Sequence, residues 1–270
     1  MRRTQHLPDL DRLSTVAAAI LLAYALARYV SLPSRLVSLQ LPGLYLGFDL
    51  NFRTFVVLIV AGLTASGAEW LLRQHPALQD RIALEHWLLP ALTAWVIGIP
   101  LLELPLGWIW WLGFVIGGAT LMLVLVAEYI VIDHDDIRQP PAAAGLTVLS
   151  FGLFLFMSVS LRLVGIRLLF LLPTITLGGG LVCLRTLHLR LRGRWAFAQA
   201  FTITLIIGQL TAALYYWRIS PVSFGLILTG VSYALTSFFA GLEEGLSPRE
   251  ASLEPAIILG ILWGAAAWNL

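Results

Sequence analysis

The stretch EYIVIDHDDIRQPP (128–141) places Asp133, His134, Asp135 and Asp136 directly after a long apolar run, with Glu128 about one turn earlier. Carboxylates grouped this way hold hard divalent cations, and Mg²⁺ in particular takes one or two of them together with waters and substrate phosphates. If the helix continues through the stretch, Asp133 and Asp136 share a face at i, i+3 spacing. A second acidic group, Glu243, Glu244, Glu250 and Glu254, lies in GLEEGLSPREASLEP (241–255). Between the two groups comes a basic run, RTLHLRLRGRW (185–195), whose Arg190, Arg192 and Arg194 suit phosphate or anionic lipid. One chemistry joins the three: Mg²⁺ on Asp133 and Asp136, a site completed by Glu243 and Glu244, and a lipid diphosphate transferred at the arginines.

A plainer reading competes with it. Three carboxylates before RQPP make a solvated turn, with Pro140 and Pro141 ending one helix and preparing the next. The basic run serves equally as a topology anchor. Intramembrane prenyltransferases carry aspartate-rich motifs of a similar kind, but in two segments, and here the second segment offers only glutamates. The EEGLSPR stretch resembles the EExxxR signature of intramembrane CAAX-type proteases, yet Arg249 stands one residue too far along and no histidine follows it. A rhomboid-type serine protease needs a GxSx serine and a later membrane-embedded histidine, and HExxH is absent too. His6, His75, His86, His134 and His188 fall at helix ends or in loops. All 17 basic residues are arginines, which excludes a lysine Schiff base and a P-loop. Cys183, the one cysteine, sits in an apolar stretch as a small packing residue. No cofactor is expected outside the Mg²⁺ reading.

These candidates have to be held by something, and composition says what. Of 270 residues, 59% are hydrophobic and 12% charged, with mean hydropathy +0.87, where a soluble domain carries roughly a quarter charged residues. The chain belongs in a bilayer. A hydrocarbon core about 30 Å thick needs about 20 helical residues per crossing. Apolar runs of that order cover 13–30, 54–72, 86–103, 107–128, 143–161, 168–187, 196–216, 222–242 and 254–270. The expected fold is an all-α integral membrane protein, one polytopic domain over 1–270 with about nine transmembrane helices. The loops near 104–106 and 165 are short enough that a merged pair would reduce the count to eight. The first run is read as a retained span, because Asp9 and Asp11 precede it and it is long enough to cross.

Arginine placement sets the orientation. With the N-terminus inside, eleven arginines lie on the inner side and six on the outer, so the N-terminus is expected in the cytoplasm and the C-terminus outside. In VSLQLPGLYLGFDL (37–50), apolar residues alternate on both sides of Pro42-Gly43, the pattern of a β-hairpin on the outer side. Within the spans, Glu69 is the most informative charge. Arg73, four residues on in the favourable order, is its expected partner. Gln199 and Gln209 either line a polar path or bond across helices. Pro173 and Gly178–Gly180 mark either close packing or a broken helix of the transporter kind. GWIWWLG (107–113) reads as an interfacial aromatic belt. The scattered arginines give nucleic-acid binding little support.

LPGLYLGFDLNFRT, a span, and then GAEWLLRQHPAL (67–78) resemble uncharacterised bacterial multi-spanning families, over the first third of the chain. The resemblance implies a bacterial plasma membrane and transfers no site residue. The reading favoured is a non-catalytic scaffold, complex subunit or minor transporter, with the bilayer and other membrane subunits as partners. The Mg²⁺-dependent lipid diphosphate transferase is the alternative.

Overall fold

The structure, a computed structural model, describes residues 9–29, 35–41, 44–50, 52–73, 75, 78, 85–133, 137–191 and 193–269. Among these residues, nine helices are long and apolar enough to cross a membrane. They are α1 (Leu10–Tyr29), α2 (Phe52–Leu72), α3 (Glu85–Glu103), α4 (Trp108–Val131), α5 (Gln139–Val164), α6 (Leu168–Arg190), α7 (Phe197–Tyr215), α8 (Pro221–Glu243) and α9 (Pro248–Trp268). Hydrocarbon offers no water to an unpaired backbone group, so each apolar run closes its N–H and C=O groups on itself as a helix. The two short connections are genuine breaks: residues 104–107 separate α3 from α4, and Gly165, at φ 71°, lies between α5 and α6. Two strands, β1 (Arg35–Leu41) and β2 (Leu44–Leu50), pair antiparallel with Val37 opposite Phe48 and Leu39 opposite Leu46. Pro42 and Gly43, where the turn was expected, lie outside the described residues.

The chain packs as two compact units, Met1–Gln139 and Pro140–Leu270. In the first, Leu13, Val16, Ile20 and Tyr24 of α1 meet Val60, Ala68 and Leu71 of α2, Ala94 and Leu101 of α3, and Leu121 and Leu125 of α4. Tyr24 lies against Gly98, where a Cβ would come within 2.8 Å of the ring. Its hydroxyl donates to the Ala94 carbonyl, which supplies the acceptor a buried phenol needs. The tryptophan cluster divides. Trp108 and Trp111 are exposed, as a belt requires, whereas Trp110 is buried and donates from Nε1 to the Leu101 carbonyl at 2.9 Å.

In the second unit, α6 runs unbroken through Pro173 and Gly178–Gly180. The glycines are a crossing point instead of a hinge. A Cβ at Gly178 would lie 2.4 Å from Met157 Cε, and one at Gly180 would lie 2.6 Å from Thr204 Oγ1. Gly179 is closed in by Ile207 and Phe154, both 3.0 Å from its would-be Cβ. Small residues let membrane helices approach this closely, and dispersion then holds them.

The EEGLSPRE stretch becomes the turn from α8 to α9. Gly245, at φ 87°, takes the left-handed position after the helix. The N–H of Leu246 reaches the Gly241 carbonyl at 3.0 Å and that of Gly245 the Leu242 carbonyl at 3.1 Å, the two bonds of a Schellman motif. Ser247 then caps α9 in a capping box with Glu250, and Pro248 opens the helix.

Gly179→Leu should lower the thermal midpoint in detergent micelles, an overpacking loss of about 1–3 kcal/mol. Gly152→Ala, with nothing within 4 Å of the new methyl, should hold or raise it. Equal effects from the two would show that the crossing at Gly179 is loose.

Candidate functional site

Two polar clusters stand out, one in each unit. In the first unit, α3 begins where α4 ends, which brings His86 to Glu128: His86 Nδ1 lies 2.6 Å from Glu128 Oε2. Glu128 has no solvent exposure and His86 is 7% exposed. His75 is also buried, and its ring meets that of Tyr129 edge-on at 4.7 Å. Leu72, Leu78, Tyr129 and Ile132 pack around this end of the unit. A lone carboxylate in such surroundings costs several kcal/mol to ionise. Beside an imidazole it is neutralised whichever group holds the shared proton, so a close pair is the form in which both can be buried.

In the second unit, the ends of α6 and α8 and the starts of α7 and α9 carry a linked set of side chains. Arg190 Nη1 donates to Ser237 Oγ at 2.7 Å, and Ser237 Oγ donates in turn to Glu254 Oε2 at 3.1 Å. The other Glu254 oxygen accepts from the Tyr233 hydroxyl. Arg190 Nε also stands 3.6 Å from Glu244 Oε1. Gln199 Nε2 donates to Glu243 Oε1 at 2.7 Å, and Arg194 Nη2 lies 3.7 Å from Glu243 Oε2. The chain of contacts therefore ties α6 to α8 through Ser237 and α8 to α9 through Glu254, while Gln199 ties α7 to α8. Arg185, earlier on α6, is buried in full.

The residues singled out by sequence divide among these places. Arg190 meets Glu244, and Arg194 and Gln199 meet Glu243, so these five come together at one end of the second unit. Glu69 lies on α2 and is held by Arg73, with Nε at 2.8 Å from its Oε1. Gln209 is exposed on α7, ten residues or about 15 Å of helix from Gln199, too far to share one site with it. Asp133 lies beyond the end of α4, half-buried, and Asp136 and Arg192 lie outside the described residues. Because α4 stops at Val131, the helix on which Asp133 was expected to share a face with Asp136 does not extend to Asp133. Among the described residues, no three of His, Cys, Asp and Glu gather closely enough to hold a metal ion.

Sequence reasoning passed over the His86–Glu128 pair. The histidines read as residues of helix ends or loops, and Glu128 as a companion of the aspartates. The signal was available: a carboxylate still inside the apolar run of α4 needs a partner, and the start of the preceding antiparallel helix is where one can stand.

The chain belongs to DUF5656, a family of proteins of unknown function, whose family model matches residues 32–269. The match extends well past the first third of the chain, and takes in both acidic groups and the basic run. No curated protein and no solved structure matches the chain.

Glu128→Ala and His86→Ala should each destabilise the protein by about 3–5 kcal/mol, because each breaks a buried charged pair. Denaturant unfolding in micelles should show the double substitution costing much less than the sum. Additive losses would mean that the two side chains do not depend on one another.

Proposed function

We propose that this DUF5656 protein is a non-catalytic scaffold or subunit of a membrane assembly in a bacterial plasma membrane. Its N-terminus is cytoplasmic, and its C-terminus and the β1–β2 pair lie outside. The observation that carries the reading is the engagement of the acidic side chains in the second unit. Glu243 accepts from Gln199, Glu244 faces Arg190 at 3.6 Å, Glu254 accepts from Tyr233 and Ser237, and Glu250 completes the cap of α9. Carboxylates that serve a metal-dependent transferase turn toward a common ion. Glu243 accepts from Gln199 and Glu244 faces Arg190, so the two carboxylates turn to different partners at the helix ends. The polar residues that suit a transport path are similarly occupied, Glu69 by Arg73 and Gln199 by Glu243. Eleven arginines on the inner side against six on the outer support the orientation.

Native mass spectrometry of the protein, extracted gently from its own membrane with Mg²⁺ present, tests the role. A stoichiometric protein partner is the expected result. An isolated chain carrying a lipid diphosphate, lost on joint Asp133→Ala and Asp136→Ala substitution, would overturn it in favour of the Mg²⁺-dependent transferase. For the orientation, Cys183→Ser provides a cysteine-free background. A cysteine in place of Leu246 should resist a membrane-impermeant maleimide in intact spheroplasts, and one in place of Arg218 should react. The reverse pattern would invert the topology.

A further inference from the structure

An open groove of about 530 Å³ runs between α6 and α7. It exists because Gly180 presents no side chain where α7 passes, so that Thr204 closes against the α6 backbone and the flanking side chains stand apart as walls. The walls are apolar, with Leu177 on one side and Phe201 on the other, 60% and 64% exposed. On α6 the groove extends from Thr176 to Leu184, about 12 Å at helical rise. Half of a hydrocarbon core is about 15 Å, so the groove is nearly as long as one leaflet is deep.

Its end toward the α6–α7 connection carries the features of a headgroup region. Phe197, which lines the groove, stacks on Trp195 with ring centroids 5.3 Å apart and planes 7° from parallel. Aromatic side chains of this kind sit at the boundary between acyl chains and headgroups. Arg194 adjoins them, its side chain 66% exposed. Its neighbour Glu243 stands at 3.7 Å, beyond hydrogen-bond reach, and already accepts from Gln199. An exposed pair at that distance contributes little, and the guanidinium keeps donors for a phosphate.

We infer that the α6–α7 groove binds one acyl chain of an anionic glycerophospholipid from the cytoplasmic leaflet, with the headgroup phosphate on Arg194 and Trp195 at the glycerol level. The site is independent of the scaffold reading, since a subunit, a transporter or an enzyme could each hold such a lipid, and only its leaflet rests on the orientation proposed above.

Photo-crosslinking in reconstituted vesicles tests it. The full chain is placed in phosphatidylcholine vesicles doped with a diazirine-tagged phospholipid bearing either a phosphoglycerol or a phosphocholine headgroup, and the adducts are mapped by peptide mass spectrometry. The phosphoglycerol tracer should label Leu177, Leu184 and Phe201 several-fold more than the phosphocholine tracer. Ala198→Trp fills the groove from an exposed position, and should cut that labelling several-fold while adducts at Ile257 and Ile261 on the exposed face of α9 stay unchanged. Leu177→Trp blocks the groove from the opposite wall and serves if the first variant fails to fold. Arg194→Gln should abolish the headgroup preference. Equal labelling by the two tracers, or labelling undiminished by both tryptophans, would reduce the groove to ordinary bilayer contact. Displacement of the tracer by a polyprenyl phosphate but not by unlabelled phosphatidylglycerol would overturn the assignment of the lipid class.

Discussion

A charge carried into hydrocarbon must bring its counter-charge or its proton with it, because no water is there to receive it. That constraint organises both units. In the first, Glu128 enters the end of α4 without exposure and the start of α3 supplies His86. In the second, the arginine-rich end of α6 is matched by the acidic end of α8 and start of α9. The exclusive use of arginine fits this arrangement. A planar fork with five donors can hold more than one acceptor at once, where an ammonium offers a compact, strongly hydrated charge. Arg162 shows the same economy at the opposite end of its unit, donating to the carbonyls of Tyr215 and Trp217 at 3.1 Å each while lying over the rings of Tyr215 and Phe224.

Between the charged ends, association depends on shape, since lipid tails are as apolar as the side chains they would replace. Small residues decide where helices meet. Gly178–Gly180 set the crossing of α6 with its neighbours, and Ser223 adds a hydrogen bond from α8 to the Ala266 carbonyl of α9 at 2.8 Å. The same glycine that permits the α6–α7 contact leaves the groove beside it. One backbone feature therefore produces both a packing contact and a concave surface within the lipid.

Much of the fold is legible in the sequence, because the bilayer imposes a length on every span and the chain punctuates its turns. The runs of apolar residues correspond to α1–α8 within a few residues, whereas α9 begins at Pro248, six residues before its apolar run, because the Ser247–Glu250 capping box carries the helix into the polar stretch. The Glu69–Arg73 pair is legible too, being four residues apart on one helix. The His86–Glu128 pair is not, because its members are 42 residues apart and only the antiparallel packing of α3 on α4 joins them. The end of α4 at Val131 has no proline or glycine to announce it, so Asp133 reads as helical in the sequence and lies beyond the helix in the structure. Gly178–Gly180 have the same composition in a crossing as in a break, and neighbours on other helices decide between the two. The division of the chain at Gln139 and Pro140 carries no linker signal beyond the two prolines that open α5.

In the proposed function the glutamates of the second unit tie helices together and do not serve an ion. Electron paramagnetic resonance with Mn²⁺ standing in for Mg²⁺ addresses it directly. Purified protein titrated with Mn²⁺ should leave the six-line spectrum of the aqueous ion undiminished at one equivalent. Loss of that signal at one Mn²⁺ per chain, restored by joint Glu243→Gln and Glu244→Gln substitution, would contradict the account and make this end of the protein a metal site.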